Sequence, residues 1–299
     1  MSVALGIDIG GTAVKFVALS TRGEILGRWR VPTDESSAEG VPAAIRSEVR
    51  RIEHQFGMAQ PIGVACPGLV RRGGVVIHWM KGRLNLLENL NWEQVLGRDA
   101  PVPVINDGHA ALKAEIWLGA GRGCRDLVML TLGTGVGGGI LSDGRVLSGH
   151  LGRAGHLGHL SLNPSGEVDI ANTPGSLEDA IGNCTLARRS AGRFRSTAEL
   201  VRAHLEGDAL ATKVWLTSVD QLAVGLASII NALDPQRIIL GGGIAAHARD
   251  ALFVPLRERM NACEWRPTGV PVEIVAAELG DEAGAIGAAK HAMEVYDAS

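Results

Sequence analysis

The sequence predicts an α/β chain built as two related lobes, and three observations carry that prediction. A unit of strand, glycine turn and strand occurs twice, in "VALGIDIGGTAVKFVALS" and in "DLVMLTLGTGVGGGILS", about 125 residues apart. Segments with a helical apolar repeat lie between short apolar strands in both halves. The length, 299 residues, suits one large or two modest domains.

In the first half, residues 3–8 (VALGID) read as a buried strand, GGT as a tight turn and residues 14–20 as a second strand. Over residues 25–31, Ile25, Gly27, Trp29 and Val31 alternate with Leu26, Arg28 and Arg30, as in a half-buried strand. Val41, Ile45, Val49, Ile52 and Phe56 recur every three or four residues, which predicts an amphipathic helix with Pro42 in its first turn. PIGVACPG and PVPVIND are short strands that end in turn chemistry or a carboxylate.

The second half opens alike. Residues 126–132 form a strand, GTGVGGG a glycine turn and ILS a second strand, and Asp143-Gly144 is a hairpin signal after which RVLSG returns. Leu216, Val219, Leu222, Leu226, Ile229, Ile230 and Leu233 mark a long helix closed by Asp234-Pro235. The strand RIIL and the turn GGG (241–243) follow. The small-residue-rich segment EAGAIGAAKHAMEVY is helical and suited to pack tightly against a sheet.

Composition narrows the function. With 46% apolar residues the chain builds a sizeable core, and 40 glycines beside 4% aromatics imply many tight turns. The net charge of −3 is interspersed, and no basic stripe with interleaved aromatics suggests a nucleic-acid partner. Cys66, Cys124, Cys184 and Cys263 are far apart and form no CxxC pair, as expected of free thiols in a reducing compartment. The N-terminus has no basic leader, its apolar run is cut by Asp8, and no stretch approaches roughly 18 consecutive apolar residues. The expectation is a cytoplasmic protein with no membrane partner.

The glycine turns point to phosphates. In DIGGT a carboxylate, Asp8, stands at a strand end beside Gly10, Gly11 and Thr12, whose backbone N–H groups can cradle phosphate oxygens. Asp8 can hold Mg²⁺ directly or through water, and Lys15 adds positive charge. LGTGVGGG offers a second cradle of Gly133 and Gly135, with Thr131 and Thr134 as hydroxyl donors. It is neither GxxxxGK(S/T) nor a dinucleotide fingerprint, because it leads into a strand instead of a helix. The third turn, with Gly242 and Gly243, would let an adenine or ribose lie close to the backbone. A hairpin that merely needs glycine explains one such turn, but three at strand ends predict nucleotide phosphate binding.

The motifs GIDIGGTAVKFVAL, GVACPGLV, NDGHAA, TLGTGVGGGIL, GHLGH, ILGGGIA and LGDEAGAIGAA occur in the order and spacing of the ROK sugar kinases, which this chain resembles over almost its whole length. That resemblance implies a two-lobed actin-like ATPase (ribonuclease H-like) fold of duplicated βββαβα lobes around a central cleft. It implies ATP and Mg²⁺ as cofactors, a sugar acceptor and a homodimer. The expected lobes are residues 1–107 with 283–299, and residues 108–282. Many ROK proteins carry a helix-turn-helix ahead of the first phosphate strand; this chain opens directly on that strand, so a kinase without the DNA-binding part is expected.

On the acceptor side, VPVINDGHAA ends a strand at Asn106-Asp107 and turns into a helix. A hydroxyl that attacks the γ-phosphate needs a carboxylate to take its proton, which suits Asp107. An Asn-Asp helix cap explains the same pair. The resemblance implies that Asp107 is the base and that Asn106 holds sugar hydroxyls.

The stretch GHLGHLSLNPSGEVDIANTPGSLED departs from the family pattern. There the resemblance implies a glutamate, a zinc-binding histidine, three zinc-binding cysteines and a second glutamate, with both glutamates and the histidine lining the sugar pocket. His159 keeps the histidine and Glu178 the distal glutamate, but the cysteine positions fall on Asp169, Ala171 and Ser176. No structural zinc is expected, since alanine ligates nothing; a site of His156, His159 and Asp169 is the remaining alternative for a metal. His156 stands where the family has its first glutamate. A carboxylate accepts two hydroxyl hydrogen bonds, whereas neutral imidazole accepts one and donates one, so the sugar specificity is expected to differ.

The leading expectation is ATP-dependent phosphorylation of a sugar hydroxyl, the primary 6-hydroxyl of a hexose. The alternatives are a non-catalytic sugar or nucleotide sensor, and a kinase that uses polyphosphate or a polyol such as a cyclitol. Trp92 reads as either a sugar-loop or a packing residue, Cys66 as buried and inert, and RRSAGRFR (188–195) as a solvated helix end. Lys81 and Arg83 are candidates to meet an anionic substrate.

Overall fold

The computed structural model describes residues 3–71, 74, 76–82 and 84–298; Arg83 lies outside them. The chain divides into two compact units. Unit 1 comprises Met1–Arg122, Leu147–Ala154 and Asp281–Ser299, and unit 2 comprises Gly123–Val146 and Gly155–Gly280.

Unit 1 begins with strands β1 (Val3–Ile9), β2 (Ala13–Ser20) and β3 (Ile25–Pro32), followed by helix α1 (Gly40–Phe56). Strands β4 (Ile62–Cys66), β5 (Leu69–Val70) and β6 (Ile77–Trp79), helix α2 (Trp92–Leu96), strand β7 (Val104–Asn106) and helix α3 (Asp107–Leu118) complete its first segment. Unit 2 contains β8 (Leu127–Leu132), β9 (Val136–Ser142), β10 (Arg145–Val146), α4 (Leu177–Ile181), α5 (Leu186–Arg189), α6 (Thr197–Leu205) and α7 (Ala209–Leu233). It continues with β11 (Arg237–Gly241), α8 (Gly242–Ala248), α9 (Asp250–Cys263) and β12 (Glu273–Ala276), before α10 (Ala283–Asp297) returns the chain to unit 1.

Each unit is built on a five-stranded sheet, ordered β3-β2-β1-β4-β7 in unit 1 and β10-β9-β8-β11-β12 in unit 2. In both, an antiparallel run of three strands passes into parallel pairing, β1 with β4 and β4 with β7, or β8 with β11 and β11 with β12. The repeat read from the two glycine turns is thus a repeat of whole sheets.

The core of unit 1 follows from apolar runs. Leu5, Ile7, Ile9, Val14 and Phe16 are fully buried and pack with Ile45, Val49 and Ile52 of α1. Strand β3 alternates as the sequence predicts from Gly27 onward, with Trp29 and Val31 against this cluster, but Leu26, expected on the opposite face, packs on it too, next to a register shift in the pairing with β2. Trp92 is wholly buried in the same cluster, which makes it a packing residue. Helix α10 covers the other face at very short range. A Cβ on Gly6 would lie 1.7 Å from the Ala285 carbonyl oxygen, and one on Gly63 2.1 Å from that of Ala288. The small-residue segment therefore packs on the sheet because the strands carry glycine at the crossing and the helix carries nothing larger than alanine there.

The expected first lobe ends at residue 107, ahead of α3. Helix α3 packs on α10 instead, with Gly287 against the Ala110 carbonyl, so it belongs to unit 1, and the 147–154 segment joins it there.

In unit 2, α7 is long and apolar enough to cross a membrane by length and composition, yet half of that stretch is buried inside the unit. Its stripe of Val219, Leu222, Leu226 and Ile229 is core, and α4, α6 and α9 pack on the helix. It begins at Ala209, seven residues before the Leu216 with which the apolar repeat starts, because Asp208 caps it by accepting the Ala211 N–H at 2.8 Å. The four cysteines are free thiols.

Candidate active site

In unit 1, Asp8 is the second-to-last residue of β1 and pairs in register with Lys15 of β2, whose Nζ lies 3.8 Å from Asp8 Oδ2. The turn between them is closed by the Gly10 N–H donating to Ala13 O at 3.1 Å. Thr33, just past β3, pins it from the side: its hydroxyl donates to Gly10 O at 2.6 Å and its N–H to Thr12 O at 3.1 Å. Sequence reasoning missed Thr33, although the pairing of Ala13 with Pro32 sets it beside the turn.

Asp8 is an anion under pressure. Burial, opposed by the Lys15 ammonium and reinforced by the Asp107 and Asp281 carboxylates, pushes its pKa up to about 7. Its carboxylate rests on the first turn of α10, where the orphan N–H groups of a helix start favour negative charge. A Cβ on Gly284 would stand 2.6 Å from Asp8 Cγ, so glycine is the residue that leaves room for it.

Asp107 opens α3 at the carboxyl end of β7, two strands from Asp8 across β4. Its Oδ1 accepts the Gly108 N–H at 2.8 Å, which orients the carboxylate at the helix start. Burial raises its proton affinity. Asn106 is the helix cap: Oδ1 accepts from Gly108 N at 2.9 Å and His109 N at 3.2 Å, and Nδ2 donates to Gly68 O at 3.0 Å. The preceding strand end carries Cys66, buried beside both carboxylates, and these together push its thiol well up, so it stays protonated. His109 Nε2 meets the Ala154 carbonyl at 2.6 Å and so ties the 147–154 segment to α3.

In unit 2 the glycine turn is shorter than the sequence suggests. Val136 and the three glycines after it already pair with β8, so the turn proper is Gly133–Gly135, closed by the Gly133 N–H on Gly135 O at 2.9 Å. Its carbonyls are held from behind, Gly133 O by Asn183 N at 3.0 Å and Thr134 O by Cys184 N at 2.8 Å. Thr134 is exposed and Thr131 half-buried at the end of β8. Gly241 pairs with Thr131, which brings Gly242 and Gly243 to the same sheet edge. These two are the start of α8 and not a free turn. Gly242 (φ 81°) takes a left-handed conformation, and a Cβ there would meet Leu132 O at 2.4 Å, so backbone packing accounts for it.

Arg189 is the second missed residue. The basic cluster reads as solvated, and Arg188 fits, pairing with Glu167 and with Asp179 at 2.7 Å. Arg189 is buried enough to bring its pKa down to about 10. It donates to Gly182 O at 2.7 Å, Ser218 Oγ at 2.7 Å and Thr185 Oγ1 at 3.1 Å, bracing the loop that holds the Gly133–Gly135 turn.

The histidine stretch forms a 3-10 turn, Leu157–His159, that starts at His156. The His156 carbonyl accepts the His159 N–H at 3.2 Å, and His156 is half-buried. Gly158 presses on Val136 O, 2.1 Å from where its Cβ would be. The Val136 N–H in turn donates to Glu178 Oε2 at 2.9 Å. Val136 therefore links the histidine turn to Glu178 and both to the glycine turn. His159 Nδ1 lies 2.7 Å from Asp169 Oδ2. Among the described residues no group of three or more His, Cys, Asp or Glu is arranged to hold a metal ion. At the three cysteine positions Ala171 is exposed, Ser176 caps α4 and Asp169 is hydrogen-bonded, a donor set that does not fit a tetrahedral thiolate zinc.

The structure thus gathers Asp8, Gly10, Gly11, Thr12, Lys15, Asn106 and Asp107 at one sheet edge of unit 1. It gathers Thr131, Gly133, Thr134, Gly135, Gly242 and Gly243 at the corresponding edge of unit 2, with His156, His159 and Glu178 joined through Val136. Lys81 is exposed.

The chain is similar to known proteins over nearly its whole length. The chain is 30% identical to the glucokinase of Halalkalibacterium halodurans over 95% of its length and 92% of that protein. It is 30% identical to an N-acetylmannosamine kinase of Escherichia coli, over 97% of this chain and 98% of that one. The crystal structure of a ROK family glucokinase from Streptomyces griseus in complex with glucose and AMPPNP superposes with a TM-score of 0.82 at 27% identity, covering 98% of this chain and 100% of that one. The ROK family model matches residues 4–295, and the chain belongs to the ROK family.

Proposed function

We propose that this ROK-family protein is a sugar kinase that transfers the γ-phosphoryl group of ATP to a hexose-like acceptor, at the primary 6-hydroxyl, with Asp107 as general base. The observation that carries the reading is Asp107 itself: a desolvated carboxylate of raised proton affinity on a capped helix start, oriented by the Gly108 N–H that its Oδ1 accepts. A base of this kind is suited to take a hydroxyl proton at neutral pH. As the sugar oxygen attacks the γ-phosphorus, its proton passes to Asp107 Oδ2, the bond to the β,γ-bridging oxygen breaks and ADP leaves.

Asp8 is an oxygen donor in a desolvated site with excess negative charge, which suits Mg²⁺ held directly or through water. When bound, Mg²⁺ offsets the charge of the phosphates. The backbone of Gly10–Thr12, with Lys15, and that of Gly133–Gly135, with Thr131 and Thr134, would cradle phosphate oxygens, and Gly243, where a Cβ would meet nothing nearer than His247 Nδ1 at 3.9 Å, would admit the nucleoside. Asn106, His156, His159 and Glu178 would hold the sugar.

The relatives named above act on different sugars by name, and His156 alters the hydrogen-bonding pattern at one pocket position. The test is ADP release over a panel of hexoses, N-acetylhexosamines and cyclitols, with ATP and with polyphosphate as donors. Turnover with at least one hexose-type acceptor and ATP is the expected result. His156 also favours a second reading, a sensor that binds sugar without phosphorylating it. Sugar binding with no turnover on any acceptor would select the sensor.

A further inference from the structure

Asp169 is a buried carboxylate with no lysine or arginine partner among the described residues. Its side chain has 0% exposure, and charged groups are rarely buried so fully unless paired. Its bonds explain it. Oδ1 accepts the Ala171 and Thr173 N–H groups, each at 2.8 Å, and Oδ2 faces His159 Nδ1 at 2.7 Å. The backbone closes the same small loop, with Asp169 N on Thr173 O and Asn172 N on Asp169 O, both at 3.0 Å. These donors outweigh burial and hold the carboxyl below its ordinary range. An ionised carboxylate only accepts, so the proton between the pair sits on Nδ1, and Nε2 of the 28%-exposed His159 ring is left as an acceptor.

We propose that Asp169 is a positioning residue which fixes the ring and tautomer of His159, so that Nε2 accepts a sugar hydroxyl, and that this hydrogen-bonded loop replaces a bound metal. The proposal rests on the sugar-kinase reading above for its ligand. The bond itself does not depend on that reading.

The decisive variant is Asp169→Asn. The amide oxygen can still accept from Ala171 and Thr173, but the amide nitrogen facing His159 donates, which reverses the tautomer. Long-range ¹H–¹⁵N spectra of the free protein at pH 8, with the His159 signal assigned by its loss in His159→Gln, should show the Nδ1–H form in the wild type and the Nε2–H form in Asp169→Asn. In steady-state assays kcat/KM for the sugar should fall tenfold or more in Asp169→Asn, with KM for the nucleotide within about twofold. Asp169→Ala, which also frees the loop N–H groups, should lower the unfolding midpoint where Asp169→Asn does not. An Nε2–H wild type, a sugar kcat/KM unchanged in Asp169→Asn, or stoichiometric zinc in the purified wild type that the variant loses would overturn the proposal. If the wild type phosphorylates no sugar, the kinase reading fails, while the tautomer measurement still decides the role of Asp169.

Discussion

The Asp8 carboxylate lies against Gly284, with Cγ 2.6 Å from where a side chain on that glycine would begin. The contact joins the end of β1 to the first turn of α10, residues more than 270 positions apart in the chain. It explains why a helix rich in alanine keeps a glycine at that point. Gly284→Ala would ordinarily stabilise a helix by about 1 kcal/mol. Here the added methyl displaces Asp8, so we expect a loss of about 1–3 kcal/mol in chemical denaturation and a raised Mg²⁺ requirement in activity assays. A more stable Gly284→Ala with unchanged Mg²⁺ dependence would refute the contact's role.

The same carboxylate makes stability depend on pH. Its pKa rises from an ordinary 3.8 to about 7 on folding, so between these values the folded chain keeps a proton that the unfolded chain releases. Stability from this group is therefore greatest below about pH 4, declines as pH rises toward 7 and levels off above it, a change on the order of 4 kcal/mol. Denaturation of the wild type and Asp8→Asn across pH 4–8 isolates the effect. The difference between them should shift steadily in favour of Asp8→Asn as pH rises, and a pH-independent difference would rule the linkage out.

Glu178 and Gly135 give the next prediction. A Cβ on Gly135 would lie 2.2 Å from Glu178 Oε2, the oxygen that accepts the Val136 N–H. Gly135→Ala should disturb both the turn and the carboxylate and raise KM for nucleotide and sugar together, each about tenfold. Glu178→Gln retains an acceptor for Val136 and should raise KM for the sugar alone. Separate KM titrations distinguish the two patterns, and equal effects of both variants on both substrates would break the assignment.

Much of this architecture is legible in the sequence. The central strands of both sheets announce themselves as short apolar runs, and the helix at residues 40–56 by its periodic Val41, Ile45, Val49 and Ile52, whereas the edge strand β12, with only EIVA, carries no such signal. Turn boundaries are harder. Val136 and the glycines after it look like loop, yet they pair with β8, and Gly242 looks like a turn but starts a helix whose residues GGIAAHA have little apolar rhythm. The lobe boundary at 107 fails to include α3 because the helix is held by α10, from the far end of the chain. Within the site, Asp8, Asp107 and the glycine turns are visible because their residue types are unusual at strand ends. Thr33, Arg189 and Gly284 are not, since each acts through a partner distant in sequence and has no local signature.

The central claim is that Asp107 removes the proton from a sugar hydroxyl as ATP is cleaved. The most direct measurement is ADP release by the wild type and by Asp107→Asn with the best sugar of the panel, alongside calorimetric binding of that sugar and of the nucleotide. The account predicts that turnover in Asp107→Asn falls by about 10²–10⁴-fold while both ligands bind within a few-fold of wild-type affinity. Turnover within a few-fold of wild type, with binding intact, would contradict it.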